Sequence, residues 1–201
     1  MAPWITGERD LIRQQITDRL RLSDPARQDA GYTFVQARRP AAVLVPIVNR
    51  PGGATVLLTQ RTDHLNDHAG QISFPGGRID PGDRDAEAAA LRETEEEVGI
   101  TSDRIDLLGR LAEYNTGTGF TVTPVVALVM PPFEVRPDPF EVADVFEAPL
   151  SLLLDMDRYS FHMRVRGGRL RRFYQIEHEG RIIWGATAGM LRNLAYVMTE
   201  T

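Results

Sequence analysis

Residues Gly76–Ile100, GGRIDPGDRDAEAAALRETEEEVGI, restrict the possible folds of this chain more tightly than any other stretch. Ala86 to Val98 are mostly strong helix formers, Asp83 and Asp85 are both suited to cap the start, and Gly99 can close the end in a left-handed conformation. A helix turns about 100° per residue. Glu93, Glu96 and Glu97 therefore fall on one face, with Leu91, Thr94 and Val98 roughly opposite. Leu91 and Val98 are expected in the core, which aims three carboxylates at one spot.

Such a helix works against itself. Like charges at i,i+4 cost roughly 0.2–0.5 kcal/mol per pair. Arg92 can relieve Glu96, but it cannot neutralise all three acids. A divalent cation can. Clustered carboxylates are hard oxygen donors suited to Mg²⁺ or Mn²⁺, and Mg²⁺ leaves coordination positions for water and substrate phosphates. A Glu-rich helix alone more often presents a solvated acidic face. Here a Gly-Gly turn stands before it, an Arg sits beside the first Glu, and a Gly closes it.

Taken together, these residues resemble the Nudix box, G-x5-E-x7-R-E-U-x-E-E-x-G-U with U apolar. Arg92-Glu93, Glu96-Glu97, Gly99 and Ile100 match in register, and Thr94 stands where an apolar residue is usual. The front of the box departs further. Counting from Gly77, the acidic position falls on Asp83, and eight residues rather than seven separate it from Arg92. The strict position eight before Arg92 is Arg84.

The preceding segment, Leu57–Gly77, reads LLTQRTDHLNDHAGQISFPGG. It resembles LLTxR[SA]-x3-R-x3-G-x3-FPGG, the signature of coenzyme A pyrophosphatases within the same superfamily. Leu57, Leu58, Thr59, Arg61, Gly70, Phe74, Pro75, Gly76 and Gly77 match. Thr62 replaces Ser/Ala, and Asn66 replaces the second Arg, which removes a forked cation suited to phosphate. Glu141–Leu150 and Trp184–Leu191 are also similar to that family, so the resemblance runs from about residue 41 to the end.

The resemblance implies the Nudix fold, an α/β/α sandwich with a mixed β-sheet, here with extra N- and C-terminal helices. It implies one domain over 1–201, with a helix and extension in 1–40 and the core in 41–201. It assigns the metals, Mg²⁺ or Mn²⁺, to Glu93, Glu96, Glu97 and the Gly76 carbonyl. Glu93 becomes the candidate base and Arg92 orients the glutamates. Arg61 contacts phosphate, and Gly70, Phe74, Gly76 and Gly77 shape the substrate site. The implied reaction is cleavage of coenzyme A, or a thioester of it, into adenosine 3′,5′-bisphosphate and 4′-phosphopantetheine or its acyl form. The missing Arg at Asn66 favours the alternative, another dinucleotide such as ADP-ribose or NADH. A module that binds a nucleotide metabolite without cleaving it is a third reading, and the intact glutamates argue against it.

Composition narrows the remaining choices. The net charge of −5 does not favour nucleic acid, and the absence of cysteine excludes disulfides and thiolate chemistry. No apolar run reaches the roughly 18 residues a membrane span requires. The first residues, MAPWITGERD, lack a basic-then-apolar signal, so the cytoplasm is the expected compartment.

Elsewhere the pattern predicts a helix over residues 8–22 with Leu11, Ile12, Ile16, Leu20 and Leu22 at mostly helical spacing. Ala41–Val48 and Ala54–Thr59 read as a hairpin covered on both faces. Ile105–Tyr114 and Thr121–Met130 read as a second pair, and Pro124 marks an edge or a bulge. The glycines of Asn115–Phe120 would let backbone approach a ligand. His64 and His68 are loop histidines, either of which could meet a phosphate, and Glu141, Asp144 or Glu147 could add an acid to the metal cluster. Gly167-Gly168 predicts a hairpin that sets Arg166 opposite Arg169 and Arg164 opposite Arg171. Opposed like charges destabilise a sheet. That ladder either splays into water or meets an anion, from the substrate or from a second subunit in a homodimer. Gly185–Met198 reads as an apolar helix that buries Leu191, Leu194, Ala195 and Met198.

Overall fold

A computed structural model describes residues 9–31, 39–63, 70–166 and 169–200. His64, Asn66, His68 and the Gly167-Gly168 turn lie outside the described residues.

The centre of the main sheet is β1 (Arg39–Val48) beside β7 (Phe120–Val129). The two run parallel from Arg39↔Phe120 to Val48↔Val129. Both are covered on each face, which is why their sequences are apolar without alternation. β2 (Thr55–Arg61) returns antiparallel from β1, as the turn residues predict, but the two pair only at Ile47↔Val56 and Val48↔Thr55. Beyond that point they diverge. The gap is filled by β3 (Ile72–Ser73), which pairs with β2, and β4 (Gly76–Arg78), which pairs with β1. Phe74, 2% exposed, is the wedge between them. This splayed hairpin is what creates a site.

The second predicted pair is broken in two. β5 (Ile105–Arg110) and β6 (Tyr114–Asn115) both pair with β7. Pro124 therefore lies in a central strand, not at an edge and not in a bulge of its own. It faces the break between β5 and β6, where its carbonyl accepts from Leu111 N and no ladder partner calls for an N–H. Val142–Pro149, for which the pattern suggests no element, forms β8 along the other side of β2.

Helix α1 (Arg9–Leu22) buries Ile12, Ile16 and Leu20 and leaves Leu11 and Leu22 exposed. It shares one face of the sheet with the short α3 (Leu150–Leu153) and with α4 (Ala186–Glu200), whose Leu191, Leu194, Ala195 and Met198 are fully buried. Helix α2 (Ala86–Val98) covers the other face, where Ala86, Ala89 and Ala90 pack on Ala42, Leu44, Val125 and Ala127. The layers are thus α/β/α around a mixed sheet. A smaller sheet orders β11 (Arg181–Trp184), β10 (Arg169–His178) and β9 (Ser160–Arg166), with Arg164↔Arg171 and Arg166↔Arg169 in the predicted register. Among the described residues no helix is long and apolar enough to cross a membrane.

Candidate active site

Helix α2 begins at Asp85, whose carboxylate accepts from Ala88 N at 2.8 Å, and ends at Gly99 with φ 72°. Its buried stripe differs from the expected one. The alanines, Thr94 and Val98 face the sheet, and Leu91 is only half-buried. Small side chains let the helix axis approach, and that carries Glu97 inward too. Thr94 tolerates the apolar position by donating to Ala90 O at 2.6 Å.

Glu97 is the most enclosed acid of the three, its side chain 5% exposed. It has two weak partners, Gly76 N at 3.2 Å and the Arg61 guanidinium at 3.6 Å. Burial pushes its carboxyl up to about 8; the Gly76 N–H and Arg61 offset part of this, while Glu141 and Glu93 add to it. Glu93 is half-buried, and burial raises it as well, against the opposing pull of Arg92. Its carboxylate lies against Gly77, where a Cβ would stand 2.4 Å from the carboxyl carbon. Gly76 has a different reason to be glycine. Its φ is 151°, and a Cβ there would meet Ala42 O at 2.4 Å in the adjacent strand β1.

Glu96 is held apart from these two. Arg92 Nη1 sits between Glu93 Oε1 at 2.9 Å and Glu96 Oε2 at 3.0 Å. Asp83 anchors the other side of the guanidinium as a fork, Nε–Oδ1 3.0 Å and Nη2–Oδ2 2.9 Å. The hydrogen bonds from Arg92 hold the Asp83 carboxyl low. The extra loop residue and the shortened acid therefore compensate each other, and Asp83 is not a helix cap.

Of the three acids the sequence left open, Glu141 alone reaches the site. The backbone explains it: Asp138 N bonds Glu97 O at 2.9 Å, Thr62 N bonds Glu141 O at 3.0 Å, and Val142 N bonds Asp138 O at 2.8 Å. The loop is tied to the end of α2 and to β2, and Glu141 Oε2 comes 3.7 Å from Arg61 Nη2. Asp144 pairs with Arg181, and Glu147 binds Arg50 and Thr55. No box spacing marks Glu141, because a loop and not the helix delivers it. Of the remaining candidates, Gly70 takes φ 67° beside the Asp63 carboxylate and not against the glutamates, and Phe74 is a buried wedge with no surface to offer a substrate.

Among the described residues no three acid or histidine side chains converge closely enough to hold an ion by themselves. The donor set still fits a hard divalent cation in kind. Mg²⁺ asks for only one or two protein carboxylates, and Glu97 is a buried carboxylate whose charge is poorly matched.

The NUDIX domain pattern matches residues 38–162. A Yersinia pestis (strain Pestoides F) protein named uncharacterized Nudix hydrolase NudL is 40% identical over 198 residues, covering 97% of this chain and 98% of its own. The protein of the same name from Yersinia pseudotuberculosis serotype O:1b (strain IP 31758) matches to the same extent. The crystal structure of RenU, a Nudix hydrolase from M. smegmatis, superposes with a TM-score of 0.56 over 82% of this chain and 88% of its own, at 24% identity, and so shares the fold. These likenesses define a hydrolase with an α/β/α sandwich. The chain belongs to the Nudix hydrolase family, whose members generally use divalent metal ions.

Proposed function

We propose that this hydrolase cleaves the diphosphate of coenzyme A or its thioesters, releasing adenosine 3′,5′-bisphosphate and 4′-phosphopantetheine or acyl-phosphopantetheine, with Mg²⁺ or Mn²⁺. In this reading the chain acts as one domain in the cytoplasm, and its macromolecular partner is a second copy of itself.

The observation that carries the reaction class is Glu97. A carboxylate that is 5% exposed and among the described residues meets only a backbone N–H at 3.2 Å and a guanidinium at 3.6 Å is a costly thing to fold. Its cost makes sense beside a cation. Glu97 and Glu93 would hold the ion, with Glu96, Glu141 and the Gly76 carbonyl in support. When bound, the ion neutralises phosphate oxygens and makes water more acidic.

The chain's own groups do the rest. Arg92, locked by Asp83, fixes the rotamers of Glu93 and Glu96. In this reading Glu93 is the base toward the attacking water. Arg61 contacts its two acids at 3.6 and 3.7 Å, too long for tight pairs, so its fork can turn to a phosphate. The preference for coenzyme A rests on the matched run around Arg61, Gly70 and Gly76-Gly77.

The test is a substrate panel. Coenzyme A, acetyl-coenzyme A, ADP-ribose and NADH are each incubated with Mg²⁺ or Mn²⁺, and products are resolved by chromatography. Adenosine 3′,5′-bisphosphate from the first two, at a kcat/KM at least about tenfold above the others, supports the reading. A clear preference for ADP-ribose or NADH overturns it.

A further inference from the structure

Two arginines share one aromatic ring just behind the acidic corner. The Arg39 guanidinium lies 4.0 Å from the centroid of Phe120, and that of Arg78 lies 5.8 Å from it. The sheet register assembles them: Arg39 is opposite Phe120 in the parallel pair, and Arg78 is opposite Ala41 in the antiparallel one. Arg39 Nη2 donates to Thr118 O at 3.0 Å. Neither guanidinium forms an ion pair with a described acid. Both lie within the roughly 6 Å over which a cation is drawn to a ring face. The two repel each other, however, and among the described residues no acid neutralises them. This mirrors the situation of the glutamates with the sign reversed, and it calls for an anion.

Position says which anion. Arg78 directly follows Gly77, whose open face is filled by the Glu93 carboxylate. Successive residues of a strand point to opposite faces, and their Cα atoms are about 3.8 Å apart. The backbone is fixed at this point, since Arg92 Nη2 donates to Arg78 O at 3.2 Å. Arg78 thus projects from the face of β4 opposite the Glu93 carboxylate, one residue along the same short strand. Beside it the turn 116–120 is pinned by Thr116, which accepts from Phe120 N at 3.0 Å, and among the described residues no atom outside the glycine's own chain neighbours lies within 4 Å of a Cβ built on Gly119. Guanidinium forks match phosphate oxygens. The diphosphate itself belongs at the acidic corner, so this pair is left for a phosphate that does not react.

We propose that Arg39 and Arg78, stacked on Phe120, form a subsite for the phosphomonoester of the nucleotide substrate, separate from the diphosphate that is cleaved. This inference rests on the coenzyme A reading and deepens it. Coenzyme A carries such a phosphate on its ribose, whereas ADP-ribose and NADH carry none.

The test is equilibrium binding by titration calorimetry on the full chain. The probes are adenosine 3′,5′-bisphosphate and adenosine 5′-monophosphate, and the proteins are wild type, R39Q, R78Q and R39Q/R78Q. Circular dichroism checks folding, and the single variants carry the test where the double one unfolds. Wild type is expected to prefer the bisphosphate by about tenfold or more, and each substitution to erode that preference. Equal affinities in wild type, or an undiminished preference in the folded variants, overturns the subsite. In turnover, the ratio of KM for coenzyme A to KM for dephospho-coenzyme A should rise about tenfold in the variants. Failure of the functional reading looks different: coenzyme A is not cleaved with either metal.

Discussion

At the scale of single residues, the site is a set of side chains that fold at a loss. Glu97 shows this best. Its folded value near 8 lies well above the 4.5 of an exposed glutamate. Between those values the folded chain holds a proton that the unfolded chain has released, so Glu97 makes stability fall as pH rises through that window. The Glu97→Gln variant lacks this term. In chelator, it is expected to be more stable than wild type by roughly 1–3 kcal/mol at pH 8.5, with the gap closing toward pH 4.5. Its turnover should fall at least about 10²-fold. Urea titrations at several pH values, paired with kinetics, check both halves. The adjacent glycines separate in the same way. At Gly77 a methyl group meets the movable end of Glu93, so Gly77→Ala should fold normally and lose turnover. At Gly76 it meets the backbone of β1, so Gly76→Ala should lower the thermal midpoint as well. Sequence spacing made both glycines and all three glutamates visible. It could not show that Arg92 separates Glu96 from its neighbours, because helical geometry fixes a face but not a rotamer.

At the scale of elements, α2 was legible almost to the residue, since propensity, cap and closing glycine agree on Ala86–Val98. Its two candidate caps divide the work. Asp85 caps, so Asp85→Ala should cost about 1 kcal/mol of stability and leave turnover per folded molecule near wild type. Asp83 holds Arg92, so Asp83→Asn should lower kcat about tenfold or more with little change in thermal midpoint. Scanning calorimetry and steady-state kinetics on the pair would show the crossover, and equal effects from both would refute the division. β8 was not legible. Its sequence VADVFEAP sets two acids among apolar residues without strict alternation, and β2 and the neighbouring arginines satisfy Asp144 and Glu147 in place. Pro124 misled for a related reason. A proline excludes a ladder bond, but whether the strand or its neighbour is interrupted depends on pairing, which one strand's sequence does not encode.

At the scale of the molecule, charge is unevenly placed. The hairpin 160–172 carries five arginines (164, 166, 169, 171 and 172) and no acid, so of the net −5 the rest of the chain holds −5 − 5 = −10. The same hairpin exposes Phe161, Met163 and Val165 at 51%, 62% and 67%, at alternate positions and therefore on one face of β9, which is the edge of its sheet. A basic, apolar arm on an acidic body is complementary to another copy of that body. Two arms laid against each other would instead crowd ten arginines together. The arrangement favoured by Coulomb's law is thus arm to body, reciprocal between two copies. Sedimentation in low salt should show a dimer that weakens as ionic strength rises and the screening length falls to about 10 Å or below. Arg164→Gln with Arg171→Gln should weaken it further at every salt concentration. A monomer throughout, joined to a raised KM in the variant, would instead assign the ladder to the substrate. A monomer with an unchanged KM would rule out both roles.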